Sequence, residues 1–185
     1  MCLREHKMLL QENNKYDIIE NEQDGENMKL YHGSNVAVCE PAIMPSNRAL
    51  DFGCGFYLTS DFEQAAKWAK LTVLRRNSGE ATVTVYDFAD AASCLQNLQF
   101  ASADAQWLRF VAANRTGQSI SDSYDVIIGP VANDNTMPVI NLYLNGDYSE
   151  EEALKRLLPQ KLKDQYTFKT EKALSFLTLC EVIVV

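Results

Sequence analysis

Apolar and polar positions divide this chain into two unequal parts. Residues 1–27 are polar and acidic, with the runs Gln11-Glu12-Asn13-Asn14 and Glu20–Asn27 and a thin apolar patch at Tyr16, Ile18 and Ile19. That pattern predicts an extension, with one helix over 3–12 and then a flexible joint. Met28 opens the domain, which runs to Val185. From Lys29 the periodicity alternates between strand and helix. Lys29–His32 reads as a strand, and residues 35–54 as a long loop broken by Pro41 and Pro45. Phe56–Thr59 is a second short strand. Ser60 and Glu63 match a capping box, and Phe62, Ala65, Ala66, Ala69 and Val73 follow at helical spacing. Ala81–Phe88 is rich in Val and Thr and reads as a strand. Asp104–Asn114 reads as a helix with Trp107, Leu108 and Val111 on one face. Tyr124–Val131 is a strand, and Val139–Leu144 fits a further one. Ser149 and Glu152 cap a helix that runs to Leu158, just before Pro159. Asp164–Lys169 reads as a strand, Thr170–Leu177 as a short helix and Leu179–Val185 as a final strand. Many short strands set among helices predict an α+β domain.

Composition narrows the classes. The 185 residues suffice for one domain with a real core, and 46% apolar and 23% charged residues are ordinary for a globular chain. No apolar run reaches membrane-span length, and the N-terminus lacks the apolar stretch of a secretory signal. A net charge of −8 gives little long-range attraction to nucleic acid. The five cysteines are odd in number and include no C-x-x-C pair, so neither a disulfide framework nor a zinc site is indicated. A reducing cytoplasm is the expected setting, with no membrane role.

The chemistry concentrates in three places. Leu30-Tyr31-His32-Gly33-Ser34 puts a His-Gly at the end of an apolar run. Taken alone, such a histidine is more often one satisfied by a loop carbonyl. Asp51-Phe52-Gly53-Cys54-Gly55-Phe56-Tyr57 follows, a glycine turn that aims an aromatic residue into the next strand. Its Gly-x-Gly is not a dinucleotide fingerprint, because the third glycine and the preceding long parallel strand are missing. On the helix beyond, Ala65 and Trp68 stand eight and eleven positions after Tyr57, and Trp68 lies beside the apolar stripe. Near the C-terminus comes Asp164-Gln165-Tyr166-Thr167-Phe168, in which Asp164 points to the face opposite Gln165. Gly129–Thr136 forms a turn-rich run after an apolar strand; it either shapes a cleft or makes an Asx turn.

Together these segments resemble the NAD-binding half of the ADP-ribosyltransferase fold, in its His-Tyr-Glu branch of diphtheria-toxin and poly(ADP-ribose)-polymerase type. The resemblance is greatest to the small bacterial DUF3990 proteins, and it covers residues 28–185. It implies two small, mostly antiparallel sheets flanking an NAD cleft, with peripheral helices. It further implies that His32 bonds the ribose beside nicotinamide, that the Gly33 backbone meets the carboxamide, and that Ser34 orients His32. Tyr57 and Trp68 would sandwich the ring. Ala65 replaces a residue that is often Ser, and so loses a hydroxyl bond to the carboxamide. Gln165 stands where the family usually has Glu; it keeps the shape but not the charge. Arg48 has planar donors suited to the NAD pyrophosphate. The implied activity is release of nicotinamide from NAD, as substrate and without a metal, and transfer of a single ADP-ribose. The acceptor is unidentified, with protein favoured over nucleic acid. A bacterial toxin or effector, with an antitoxin or immunity partner, is the expected setting. The alternatives are hydrolysis of NAD, a module that holds NAD or ADP-ribose without turnover, and an interaction protein that docks a partner through residues 1–27.

Overall fold

The computed structural model describes residues 28–43, 50–89, 94–118, 120–121 and 123–185. The expected helix at 3–12, the extension around it and Arg48 lie outside the described residues. Within them the order is β1 (Met28–Ser34), β2 (Phe56–Leu58), α1 (Phe62–Arg76), β3 (Thr82–Phe88), β4 (Asn97–Gln99) and α2 (Ala105–Arg115). Then come β5 (Val126–Pro130), α3 (Met137–Leu144), α4 (Glu150–Leu157), β6 (Asp164–Phe168), α5 (Glu171–Leu174) and β7 (Leu177–Val184).

The strands form two small sheets, ordered β1-β3-β7 and β2-β6-β5-β4. Every pairing is antiparallel except β4 with β5. The α+β class with two mostly antiparallel sheets is therefore what the chain adopts. Side chains alternate across each strand, and that alternation builds the layers. Leu30 and Tyr86 of one sheet cluster with Phe56, Leu58, Tyr166 and Phe168 of the other. Phe56 meets Tyr86 edge-on at 5.8 Å, and Phe88 meets Phe168 at 5.1 Å. Behind the first sheet, Ala65 and Ala66 of α1 pack on Val83 and Val85. Behind the second, Trp107, Leu108, Ile140 and Leu157 from α2, α3 and α4 cover Ile127 and Phe52. Phe52, Leu108, Ile127, Ile140 and Leu157 are fully buried, a contribution of about 1.5–3 kcal/mol apiece. The two sheets are also joined by backbone: Tyr31 N–H donates to Thr59 O (2.9 Å) and Thr59 N–H to Tyr31 O (3.1 Å).

Several elements depart from the sequence reading. Helix α1 is capped one residue later than the Ser60–Glu63 box implies: Asp61 Oδ1 accepts from Gln64 N–H at 2.8 Å. Asp61 wins because Ser60 is drawn off by the Asp164 carboxylate. Val139–Leu144 is not a strand but the body of α3. Pro138 presets the first helical turn, and Asn133 Oδ1 accepts from the backbone N–H groups of Asn135 and Thr136 just before it. The short strand β4 carries no alternation that three residues can show, and pairing with β5 defines it. Helix α5 stops at Leu174, so β7 begins at Leu177 rather than Leu179. The Ser149 cap on α4 forms as expected. No described helix is long and apolar enough to cross a membrane.

Candidate functional site

A cavity of about 1000 Å³ opens where β1, β2, α1, the start of β6 and residues 131–134 meet. His32, Gly33, Tyr57, Trp68 and Gln165 all line it. Ser34 instead lines a smaller cavity that shares His32 and Gly33. Ala65 lines neither; it is fully buried against β1.

Strand β1 is an edge strand, and this decides what Gly33 presents. Tyr31 turns its N–H and C=O away from β3, toward Thr59. Alternate residues of an antiparallel strand aim their backbone groups the same way. Gly33, two positions on, therefore offers a donor and an acceptor at an edge that no other described strand covers, beyond the Tyr31–Thr59 pair. The reason for glycine is packing: a Cβ there would sit 1.9 Å from the Ala65 carbonyl oxygen. Small residues on both sides let α1 lie directly on β1.

His32 is held on two sides. Its ring stacks on Phe56 at 4.5 Å, with 26° between the planes. Its Nδ1 lies 2.8 Å from Tyr57 O. A carbonyl only accepts, so Nδ1 carries the hydrogen, and in the neutral ring Nε2 keeps a lone pair. Burial lowers the histidine below its ordinary 6.5, and the Arg76 charge lowers it further against the bond to Tyr57. The imidazole is neutral at physiological pH.

Tyr57 is fixed through its hydroxyl, which donates to Gly53 O (2.6 Å) and accepts from Phe52 N–H (3.2 Å). Gly53 makes this turn with φ +73°, a conformation glycine adopts freely. Burial above all, then the Asp51 carboxylate, holds the phenol far above its ordinary range, so it stays a neutral donor. Asp51 is buried and ion-pairs with Arg115; its Oδ1 lies 2.8 Å from Arg115 Nε, and its Oδ2 accepts from Ala132 N–H at 3.1 Å. One carboxylate thus ties the glycine turn, the end of α2 and the 131–134 loop together. That loop both lines the cavity and makes the Asx turn at Asn133.

Gln165 is 2% exposed, and its Nε2 has no hydrogen-bond partner. A buried, orphaned amide donor is costly, on the order of 1–3 kcal/mol. The strand that carries it is latched to α1: Gln64 Nε2 donates to Asp164 O (2.8 Å), and Asp164 Oδ1 accepts from Thr59 Oγ1 (3.0 Å) and Ser60 N–H (2.9 Å). Asp164 therefore bonds outside the cavity while Gln165 faces in.

Sequence reasoning missed the charges. Asp51, Asp61, Glu63 and Asp134 line the cavity with Lys67, Arg75, Arg76, Arg115 and Lys163. Two acids are consumed in pairs, Asp51 with Arg115 and Asp61 with Lys163. Among the described residues the wall keeps three cations, Lys67, Arg75 and Arg76, against Glu63 and Asp134. Arg75 and Arg76 close α1 as a doublet; that was the signal available in the sequence. Among the described residues, no three His, Cys, Asp or Glu side chains are grouped to hold a metal ion.

No curated protein and no solved structure matches the chain. Residues 28–179 match the family described as Protein of unknown function (DUF3990), a match that begins where β1 begins. The chain is a member of the DUF3990 family.

Proposed function

We propose that this cavity binds NAD and that the protein transfers a single ADP-ribose from it to an acceptor. The observation that carries the reading is the Gly33 backbone pair, without a hydrogen-bond partner among the described residues, beside His32, Tyr57, Trp68 and the orphaned Gln165 amide, all on one cavity. An amide ligand fits that edge as a strand would, giving one bond and taking one. Nicotinamide supplies such an amide on a flat ring, and Tyr57 and Trp68 supply aromatic faces for it. The neutral His32 Nε2 accepts from a ribose hydroxyl. The glycosidic bond then breaks with its electron pair moving to the pyridinium nitrogen. Neutral nicotinamide leaves, and C1 of the ribose becomes cationic until a nucleophile attacks.

A second reading is binding without turnover, and one observation favours it. Gln165 brings no negative charge to face that cation, and the unpaired wall residues lean cationic. Electrostatic stabilisation of the developing charge is therefore weak. Calorimetric titration with NAD and chromatographic detection of nicotinamide address both readings, on the parent and on Gln165→Glu. Transfer predicts NAD binding, slow release by the parent and release faster by about tenfold or more in the variant. NAD binding with no release from either protein leaves only the binding module. A flat NAD titration sinks both.

A further inference from the structure

Arg75 and Arg76 lie at the end of α1 with Thr72 one turn back. With Ser34, His32 and Gly33 they enclose a cavity of about 190 Å³ that shares all of its lining except Ser34 with the larger one. Among the described residues no carboxylate ion-pairs with either arginine. Arg75 spends Nε on Leu71 O (3.3 Å) and Nη2 on Thr72 Oγ1 (3.0 Å). Arg76 spends Nη1 on Asn35 Oδ1 (3.1 Å). These bonds aim the guanidinium groups and leave other N–H donors unspent. Cations in a last helical turn are favoured by the helix dipole, which explains the charges but not the cavity they share with Thr72 and Ser34.

We infer that Arg75 and Arg76, with Thr72 and Ser34, form a phosphate-binding subsite that takes the pyrophosphate of the dinucleotide. Two guanidinium groups on one cavity match a doubly charged group, and planar forks suit phosphate oxygens. The lining also divides as the ligand would require: the arginines share the smaller cavity with His32 and Gly33, while Tyr57, Trp68 and Gln165 line only the larger one. Arg76 shares the smaller cavity with His32, the residue that the proposed function sets against the ribose. Naming the anion as the pyrophosphate of NAD rests on the proposed function; the anion site itself does not.

The test titrates the full chain with NAD, ADP-ribose, nicotinamide and inorganic pyrophosphate, alongside Arg75→Gln/Arg76→Gln and Arg75→Lys/Arg76→Lys. Thermal melting checks that each variant is folded, and the lysine pair keeps the charge where the glutamine pair fails to fold. The expected result is a loss of tenfold or more in affinity for NAD, ADP-ribose and pyrophosphate in the glutamine variant. The lysine variant recovers part of it, and nicotinamide binds all three proteins alike. ADP-ribose bound equally by parent and glutamine variant overturns the inference and leaves the proposed function standing. Pyrophosphate bound only by the parent and the lysine variant, with NAD and nicotinamide silent, supports the anion site and overturns the proposed function. No binding of any phosphate compound by the parent overturns both.

Discussion

His32 carries a fixed hydrogen on Nδ1 and an available lone pair on Nε2, and its neutrality is built into the fold. The unfolded imidazole takes up a proton near 6.5; the folded one resists until the pH is lower. Between those points the unfolded state holds more protons, so stability is retained above 6.5 and lost as pH falls through the folded value. Urea midpoints taken from about pH 7.5 to about pH 5 should therefore fall further for the parent than for His32→Gln. Equal slopes would show that His32 does not resist protonation. Gln165 gives the opposite kind of prediction, because its orphaned amide is a local cost. Gln165→Leu removes that cost at similar volume and should raise stability by about 1 kcal/mol in denaturant, while NAD affinity falls tenfold or more. At this scale the sequence was readable where a side chain sits on a regular strand. His32, Tyr57 and Gln165 reach one cavity because strand alternation and order along the chain already constrain them. Asp51 and Arg115 were not readable as a pair, since 64 positions separate them and only the packing of α2 on the glycine turn joins them.

Helix α1 is the element that shapes the site. It brings Trp68, Arg75 and Arg76 to the wall while three alanines seat it on the first sheet. Gly33→Ala should cost about 3 kcal/mol or more in denaturant, because the new Cβ meets backbone of α1 rather than a side chain that can swing away. A variant that folds with parental stability would show that α1 sits farther from β1. The Asp51 tether makes a second prediction. Asp51→Ala strands Arg115 and the Ala132 N–H, and should cost about 3 kcal/mol. Arg115→Ala should add little to it in the double variant, since both changes break one network. The periodicity of α1 was legible in the sequence, but its first residue was not. Ser60 and Asp61 are both good caps, and the choice between them is made by Asp164, a hundred positions away. Helix α3 was misread for a related reason: Val139 and Ile140 are β-branched, yet Pro138 and the Asn133 turn commit the segment to a helix before their preference counts.

The whole molecule sets an acidic body, net −8, around a cavity whose unpaired charges lean positive. Such a field concentrates anions at the cavity and repels them elsewhere. Raising the salt from about 50 to about 500 mM should weaken NAD binding several-fold by screening that attraction. Nicotinamide, which is neutral, should be insensitive. Strand β7 is the outermost described strand of the first sheet and exposes Leu179, Val182 and Val184. Val182→Lys should leave stability within about 0.5 kcal/mol and reduce light scattering on heating, because a charge on an edge strand discourages pairing between molecules. The α+β class could be expected from many short strands, and two small sheets from the family resemblance alone. The alignment of the sheets could not, since the Tyr31–Thr59 pairing is backbone alone and leaves no trace in residue type.

That pairing acts as the spine of a book. The two sheets are its boards, and the cavity is the gutter where the spine ends. Boards bound in this way cannot slide along the binding, and the Phe56 and Tyr86 rings packed between them keep them from fanning apart. The spacing between the Gly33 edge and the Tyr57 ring is therefore set by the fold and not by what enters.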